Sequence, residues 1–74
     1  MHYVYVLKTG NGKLYIGYTS DLRRRLKEHK TKTPELIYYE AYKSKEDATR
    51  RERQLKYYKS AWGYLKKRIA KSRI

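Results

Sequence analysis

Cysteine and phenylalanine are absent from this chain of 74 residues, and proline occurs once. Without cysteine there is no disulfide, no thiolate metal site and no thiol nucleophile. The longest apolar run, Val4-Tyr5-Val6-Leu7, falls far short of the roughly 20 residues that cross a bilayer. Met1-His2 lead straight into that strand-like run, so no signal peptide and a cytoplasmic location are expected. Acids are scarce: seven Asp and Glu stand against twenty Lys and Arg, for a net charge of +13. A chain this short folds with only about 60% of its extended surface buried, so it makes one small domain, residues 1–74, of marginal stability.

The charge that is present points to a polyanion. Residues 1–42 carry eight basic and four acidic side chains, and residues 43–74 carry twelve and three. A surface so cationic repels itself unless salt or a polyanion screens it. Phosphodiester polymer fits, because each Lys or Arg set on a phosphate releases condensed counterions. An anionic membrane fits less well, since the cations are interleaved with tyrosines and no broad Leu/Phe face is available for an interfacial helix. Ten of the eleven aromatic residues are tyrosine, whose ring can pack while its hydroxyl stays in water or on a phosphate.

Local patterns give the order β-β-α-β-α-α. Tyr3 to Leu7 and Lys13 to Gly17 are short, aromatic and β-branched, and Thr9-Gly10-Asn11-Gly12 between them tolerates positive φ, so the pair reads as a hairpin. Thr19-Ser20-Asp21 offers a helix N-cap, and Leu22, Leu26 and His29 then recur at i, i+4, i+7 over about residues 21–30. Thr31 to Pro34 break that helix, and Leu36 to Tyr42 form a third strand. Ser44 caps a second helix to about Tyr58, with Asp47 in the capping-box position. Ser60 is read as the cap of a third helix through Trp62, Leu65 and Ile69, with Trp62 in the core, and Lys71 to Ile74 are expected to fray. Gly63, inside that helix, suggests close packing or a break. The expected fold is an α/β (α+β) domain, a small three-stranded antiparallel sheet flanked by helices.

Phasing the helices singles out three polar residues. Arg25 lies beside the Leu22–Leu26–His29 stripe, whereas Arg23 and Arg24 point elsewhere. His29 itself sits on that stripe, as a core histidine or as a functional one. Glu52 falls between Ala48 and Leu55 on the apolar stripe of the second helix, the one acid among Arg50, Arg51 and Arg53. It suits a helix ion pair with Lys56 or an arginine, or a ligand for a hard cation, since Mg²⁺ is commonly held by one carboxylate plus phosphate oxygens.

With these residues in view, the sequence resembles the GIY-YIG endonuclease family, most of all its short single-domain members similar to the N-terminal nuclease domain of the DNA-repair excinuclease. The first triplet reads Tyr3-Val4-Tyr5, with Tyr3 in place of the family glycine, and the second, Tyr15-Ile16-Gly17, follows at the family spacing. The family arginine falls on Arg25, its frequent histidine on His29 and its metal-binding glutamate on Glu52. Thr31 to Glu35, where most small relatives carry a longer Gly/Arg-rich loop, is short.

The resemblance implies a metal-dependent endonuclease hydrolysing DNA phosphodiester bonds, in a repair, mobile-element or phage-defence role. Glu52 would hold one Mg²⁺ or Mn²⁺, Arg25 would stabilise the transition state, and Tyr5 or Tyr15 would orient or deprotonate the attacking water, with His29 relaying a proton or positioning that water. A phenol, with a reference pKa of about 10, needs help to act as a base at neutral pH. Tyr18 is expected to face substrate, and Arg23, Arg24, Arg50, Arg51 and Arg53 to grip the backbone of DNA, branched or flapped forms included. A monomer is expected; cutting both strands would require a dimer. The competing reading is a nucleic-acid-binding module of the same fold with little or no turnover.

Overall fold

The computed structural model describes residues 1–10, 12–28 and 35–73. Three strands, β1 (His2–Lys8), β2 (Leu14–Thr19) and β3 (Glu35–Tyr42), form one antiparallel sheet in the order β2-β1-β3. Three helices follow the expected order, α1 (Leu22–Glu28) before β3, then α2 (Lys45–Tyr57) and α3 (Lys59–Arg68). The hairpin joining β1 to β2 turns through Gly12, whose φ of +83° suits a residue without a Cβ. Thr9 closes it, its carbonyl accepting from the Gly12 amide and its own amide donating to the Lys13 carbonyl, each at 2.9 Å.

Because β1 is central, each of its faces must be covered. Val4 and Val6 point to one side and join Ala48 and Leu55 of α2 with Leu65 and Ile69 around α3 in the main core. Ile16 and Tyr18 of β2, with Tyr38 and Tyr42 of β3, extend that core, and Trp62 packs against it with the Lys66 ammonium 5.7 Å from its ring centroid. Tyr5 and Leu7, equally buried, point to the opposite side, where α1 lies. A bulge between Val6 and Leu7 in the pairing with β3 shifts the register there.

The helix caps follow from the sequence with one exception. Asp21 caps α1, its Oδ1 accepting from the Arg24 amide at 3.0 Å. Ser44 caps α2, its side chain accepting from the Asp47 amide at 3.3 Å, and Glu46 and Asp47 complement the dipole of the first turn. Ser60, by contrast, lies inside α3: the helix starts one residue earlier, behind Tyr58, whose side chain makes no capping bond. The extended backbone of Tyr58 alone separates α2 from α3, while its amide still donates to the Gln54 carbonyl, leaving no turn for Ser60 to cap. Of the residues expected to fray, Lys71 to Arg73 belong to a 3₁₀ turn, Ala70–Arg73, lying near β3 and α3, and Ile74 lies outside the described residues. The turn is tethered by buried Ile69, whose amide closes onto the Leu65 carbonyl at 3.1 Å.

Glu40 has no evident role in the sequence, and the structure makes it the brace between β3 and α2. Arg51 donates Nε to both of its carboxylate oxygens, at 3.0 and 3.2 Å, and Nη2 to one at 3.1 Å. Tyr38 donates to Oε2 at 2.6 Å and Tyr42 to Oε1. These four side chains meet because 38, 40 and 42 share one face of the strand. Burial disfavours the Glu40 charge, but the donors prevail and hold its carboxyl below the ordinary 4.5. Burial, then the bonds to Glu40, push the Tyr38 and Tyr42 phenols up to about 12. Arg51, expected on a nucleic-acid backbone, is therefore engaged within the fold by a fork-to-carboxylate pair.

Gly63 neither breaks α3 nor packs closely, since a Cβ placed there would meet nothing within 4 Å. Gly63→Ala should raise unfolding stability by about 1 kcal/mol in urea titrations, through helix propensity alone. The Glu40 brace gives a pH signature with opposite signs at the two ends. Its depressed carboxyl stabilises the fold above the ordinary carboxylate pKa, and that contribution is lost as acid protonates it. The raised phenols keep their protons longer in the folded state, so stability should fall as pH rises from 10 to about 12. Chemical denaturation across pH, with the Tyr38→Phe/Tyr42→Phe variant losing that alkaline decline relative to wild type, checks both arms.

Candidate active site

On the face of the sheet turned to α1, Tyr5 lies directly across from Gly17. The Tyr5 ring is 1% exposed and occupies the space above that glycine: a Cβ on Gly17 would run into its ring and hydroxyl. Only glycine fits opposite Tyr5, a constraint of space rather than of backbone angle. Tyr5 Oη, so placed, accepts from Arg25 Nε at 3.1 Å. Arg25 reaches it from α1, where the cap at Asp21 fixes the start of the helix. Its Nη1 donates to Glu28 Oε2 at 3.0 Å. Two sides of the guanidinium are thus fixed, yet 42% of the side chain is exposed. The bonds to Tyr5 and then Glu28 raise its pKa further, so it stays cationic.

Tyr15 lies on the same face, across from Leu7 and one side-chain repeat along the ladder from the Tyr5–Gly17 pair, but is 56% exposed. It belongs to β2, an edge strand. A groove of about 390 Å³ there brings Tyr15 together with Lys56 and Leu55 of α2 and Trp62 of α3. Glu52, one turn before Lys56, pairs with it at 3.4 Å and is 25% exposed. The structure thus joins Tyr5 to Arg25 directly and sets Tyr15 beside them. Glu52 stands on the helix layer of the other face and is linked to this region through Lys56 at the β2 edge. Among the described residues no three His, Asp or Glu side chains gather as a metal cage. The donor set is one partly buried carboxylate, which fits a hydrated Mg²⁺ or Mn²⁺ completed by substrate oxygens. His29 lies outside the described residues.

Tyr18 departs from its expected place. Its Cα pairs with Val4, so its ring goes to the core side, away from Tyr5 and Arg25. There it stacks on His2, with its hydroxyl hydrogen-bonded to His2 Nδ1 at 2.9 Å. Side-chain alternation along β2 separates Tyr18 from Tyr15, a signal present in the sequence. Arg23, Arg24, Arg50 and Arg53 are exposed. Arg24 stands 3.6 Å from Glu28 with 70% of its side chain exposed, a pair that costs little to open.

The GIY-YIG catalytic domain, as a family profile, matches residues 1–67. The chain belongs to the GIY-YIG family. Similar GIY-YIG relatives include a UPF0213 protein of Bacillus pumilus, 38% identical over 65 residues, covering 74% of this chain and 66% of that protein. Another is a UPF0213 protein of Staphylococcus aureus, 36% identical over 67 residues, covering 77% of this chain and 82% of that one. The solution NMR structure of a UPF0213 protein from Bacillus halodurans superposes with a TM-score of 0.61 at 33% identity, covering 86% of this chain and 80% of that one. The GIY-YIG family is nuclease-type, and the sheet order and helices described above are its fold. No helix among the described residues is long and apolar enough to cross a membrane.

The Tyr5–Gly17 contact gives the second triplet its glycine for a steric reason. Gly17→Ala should displace the Tyr5 ring, lower stability by about 1–3 kcal/mol and free Arg25. Thermal unfolding together with the loss of the Arg25 Nε–H to Tyr5 contact in NMR spectra checks this.

Proposed function

We propose that this chain is a divalent-cation-dependent endonuclease acting on DNA. The observation that carries the reading is the Arg25 guanidinium, fixed by Tyr5 and Glu28 yet open to solvent, beside an exposed tyrosine in a GIY-YIG domain. Arg25 meets the scissile phosphate, and its planar fork matches two nonbridging oxygens as charge grows on them. Tyr5, buried and accepting from Arg25, aims the guanidinium. Tyr15, the accessible phenol, orients the attacking water and takes its proton as its own phenolic proton passes to His29, or His29 positions the water and the phenolic proton passes to solvent. Glu52 would hold one Mg²⁺ or Mn²⁺, which when bound supplies Lewis-acid stabilisation of the leaving 3′ oxygen. Lys56 would then yield the carboxylate, and as an exposed i,i+4 partner it gives up only a few tenths of a kcal/mol. Arg23, Arg24, Arg50 and Arg53 contact the backbone on either side.

The Glu52–Lys56 pair also supports a second reading, a nucleic-acid-binding module in which that carboxylate serves the helix and no metal enters. Plasmid nicking separates the two. Wild type should nick in Mg²⁺ or Mn²⁺ and stop in EDTA, while Glu52→Ala and Arg25→Ala should lose about a hundredfold or more in rate and keep salt-sensitive binding. Absence of nicking on plasmid, flapped and branched DNA, with binding intact, would leave the module.

A further inference from the structure

A second groove, of about 570 Å³, lies between α1 and the Tyr5 face of β1 and β3. Leu22 and Leu26 of α1 form its apolar side, Tyr3 and Tyr39 its aromatic side, and Arg23 and Lys27 its cationic rim. Tyr39 of β3 pairs directly with Tyr5 of β1, and Tyr3 precedes Tyr5 by two residues on the same face. The groove thus adjoins Tyr5 on the sheet, and Arg23 and Lys27, one turn apart on α1, share its side of that helix, with Arg25 on the other flank. The two rings meet edge to face, with centroids 6.1 Å apart and planes at 63°. Tyr39 is 53% exposed and lies on the face away from the main core. Asp21, also at this groove, turns one carboxylate oxygen, Oδ1, to the Arg24 amide.

An apolar floor, an aromatic platform and two cations make a site for a flat heterocycle carrying a phosphate. We propose that this groove takes an unpaired nucleotide of the substrate strand, its base against Tyr39 and Tyr3 and its phosphate at Arg23 and Lys27. The proposal deepens the nuclease reading, on which its placement beside the scissile phosphate rests. A base stacked within a duplex offers no free face to a tyrosine. The substrate class is therefore a strand with at least one unpaired nucleotide near the cut, on the far flank of α1 from Arg25.

Binding measured in EDTA, where no turnover occurs, tests this apart from catalysis. The probes are a labelled single-stranded DNA without self-complementarity and a blunt duplex long enough to stay paired, matched to it in number of phosphates, followed by anisotropy at several salt concentrations. Wild type should prefer the single strand. Tyr39→Ala should weaken it about tenfold while leaving the duplex nearly unchanged, and Tyr39→Phe should retain the wild-type affinity. Arg23→Gln should weaken both probes and reduce the salt slope by about one. Equal affinity of wild type for the two probes, or a Tyr39→Ala variant that binds the single strand as tightly as wild type, would overturn the proposal. If nicking is absent but single-strand binding depends on Tyr39, the groove stands and the nuclease reading falls. Nicking with binding indifferent to Tyr39 gives the reverse.

Discussion

The site depends on one steric fit, the ring of Tyr5 laid over the bare backbone of Gly17. A tyrosine on the central strand cannot hold its hydroxyl at a fixed point unless its ring is clamped, and here the clamp is the neighbouring strand itself. Any side chain at position 17 would occupy the space of the ring. With the ring fixed, its oxygen becomes a rigid acceptor for Arg25, and α1 gains a polar anchor on a sheet face where its seven residues offer few apolar ones. Each of the two triplets in the sequence thus contributes one half of a single contact: the tyrosine of the first and the glycine of the second.

Much of this is legible in the sequence because it rests on local rules. The hairpin follows from glycines that accept positive φ, the helices from Asp21 and Ser44 as caps, and the inward lean of Arg25 from helical phase. What local rules leave out depends on partners distant in sequence. Glu40 has no motif around it, and its place becomes clear only when β3 brings Tyr38 and Tyr42 to either side and α2 lowers Arg51 onto it. For the same reason Arg51 cannot be told from Arg50 and Arg53 by composition. Tyr18 is a different case, since strand alternation already separates its face from that of Tyr15. Ser60 loses its capping role because α2 and α3 are joined by a single extended residue rather than a turn.

β1 divides the labour of the molecule. Its valines face α2 and α3 and anchor the apolar core, together with the Glu40 brace. Its tyrosines face α1, where Tyr5 accepts from the Arg25 guanidinium. In a chain too small for a second core, this arrangement lets one strand serve both ends, since side chains two residues apart share a face and immediate neighbours do not. Tyr5 and Arg25 then need not compete for space with the main core, whereas Glu52 stands beside it on α2.

The distribution of acids explains how so cationic a chain remains folded while keeping a surface for a polyanion. Asp21 caps α1, Glu46 and Asp47 occupy the first turn of α2, Glu40 binds Arg51, Glu28 meets Arg24 and Arg25, and Glu52 meets Lys56. Six of the seven acids thus sit at helix starts or on particular cations, and few remain to dilute the positive field elsewhere. The repulsion among the remaining lysines and arginines is a standing cost to the folded state. A bound polyanion removes that cost as it forms its own contacts, so substrate affinity and fold stability rise together through the same charges.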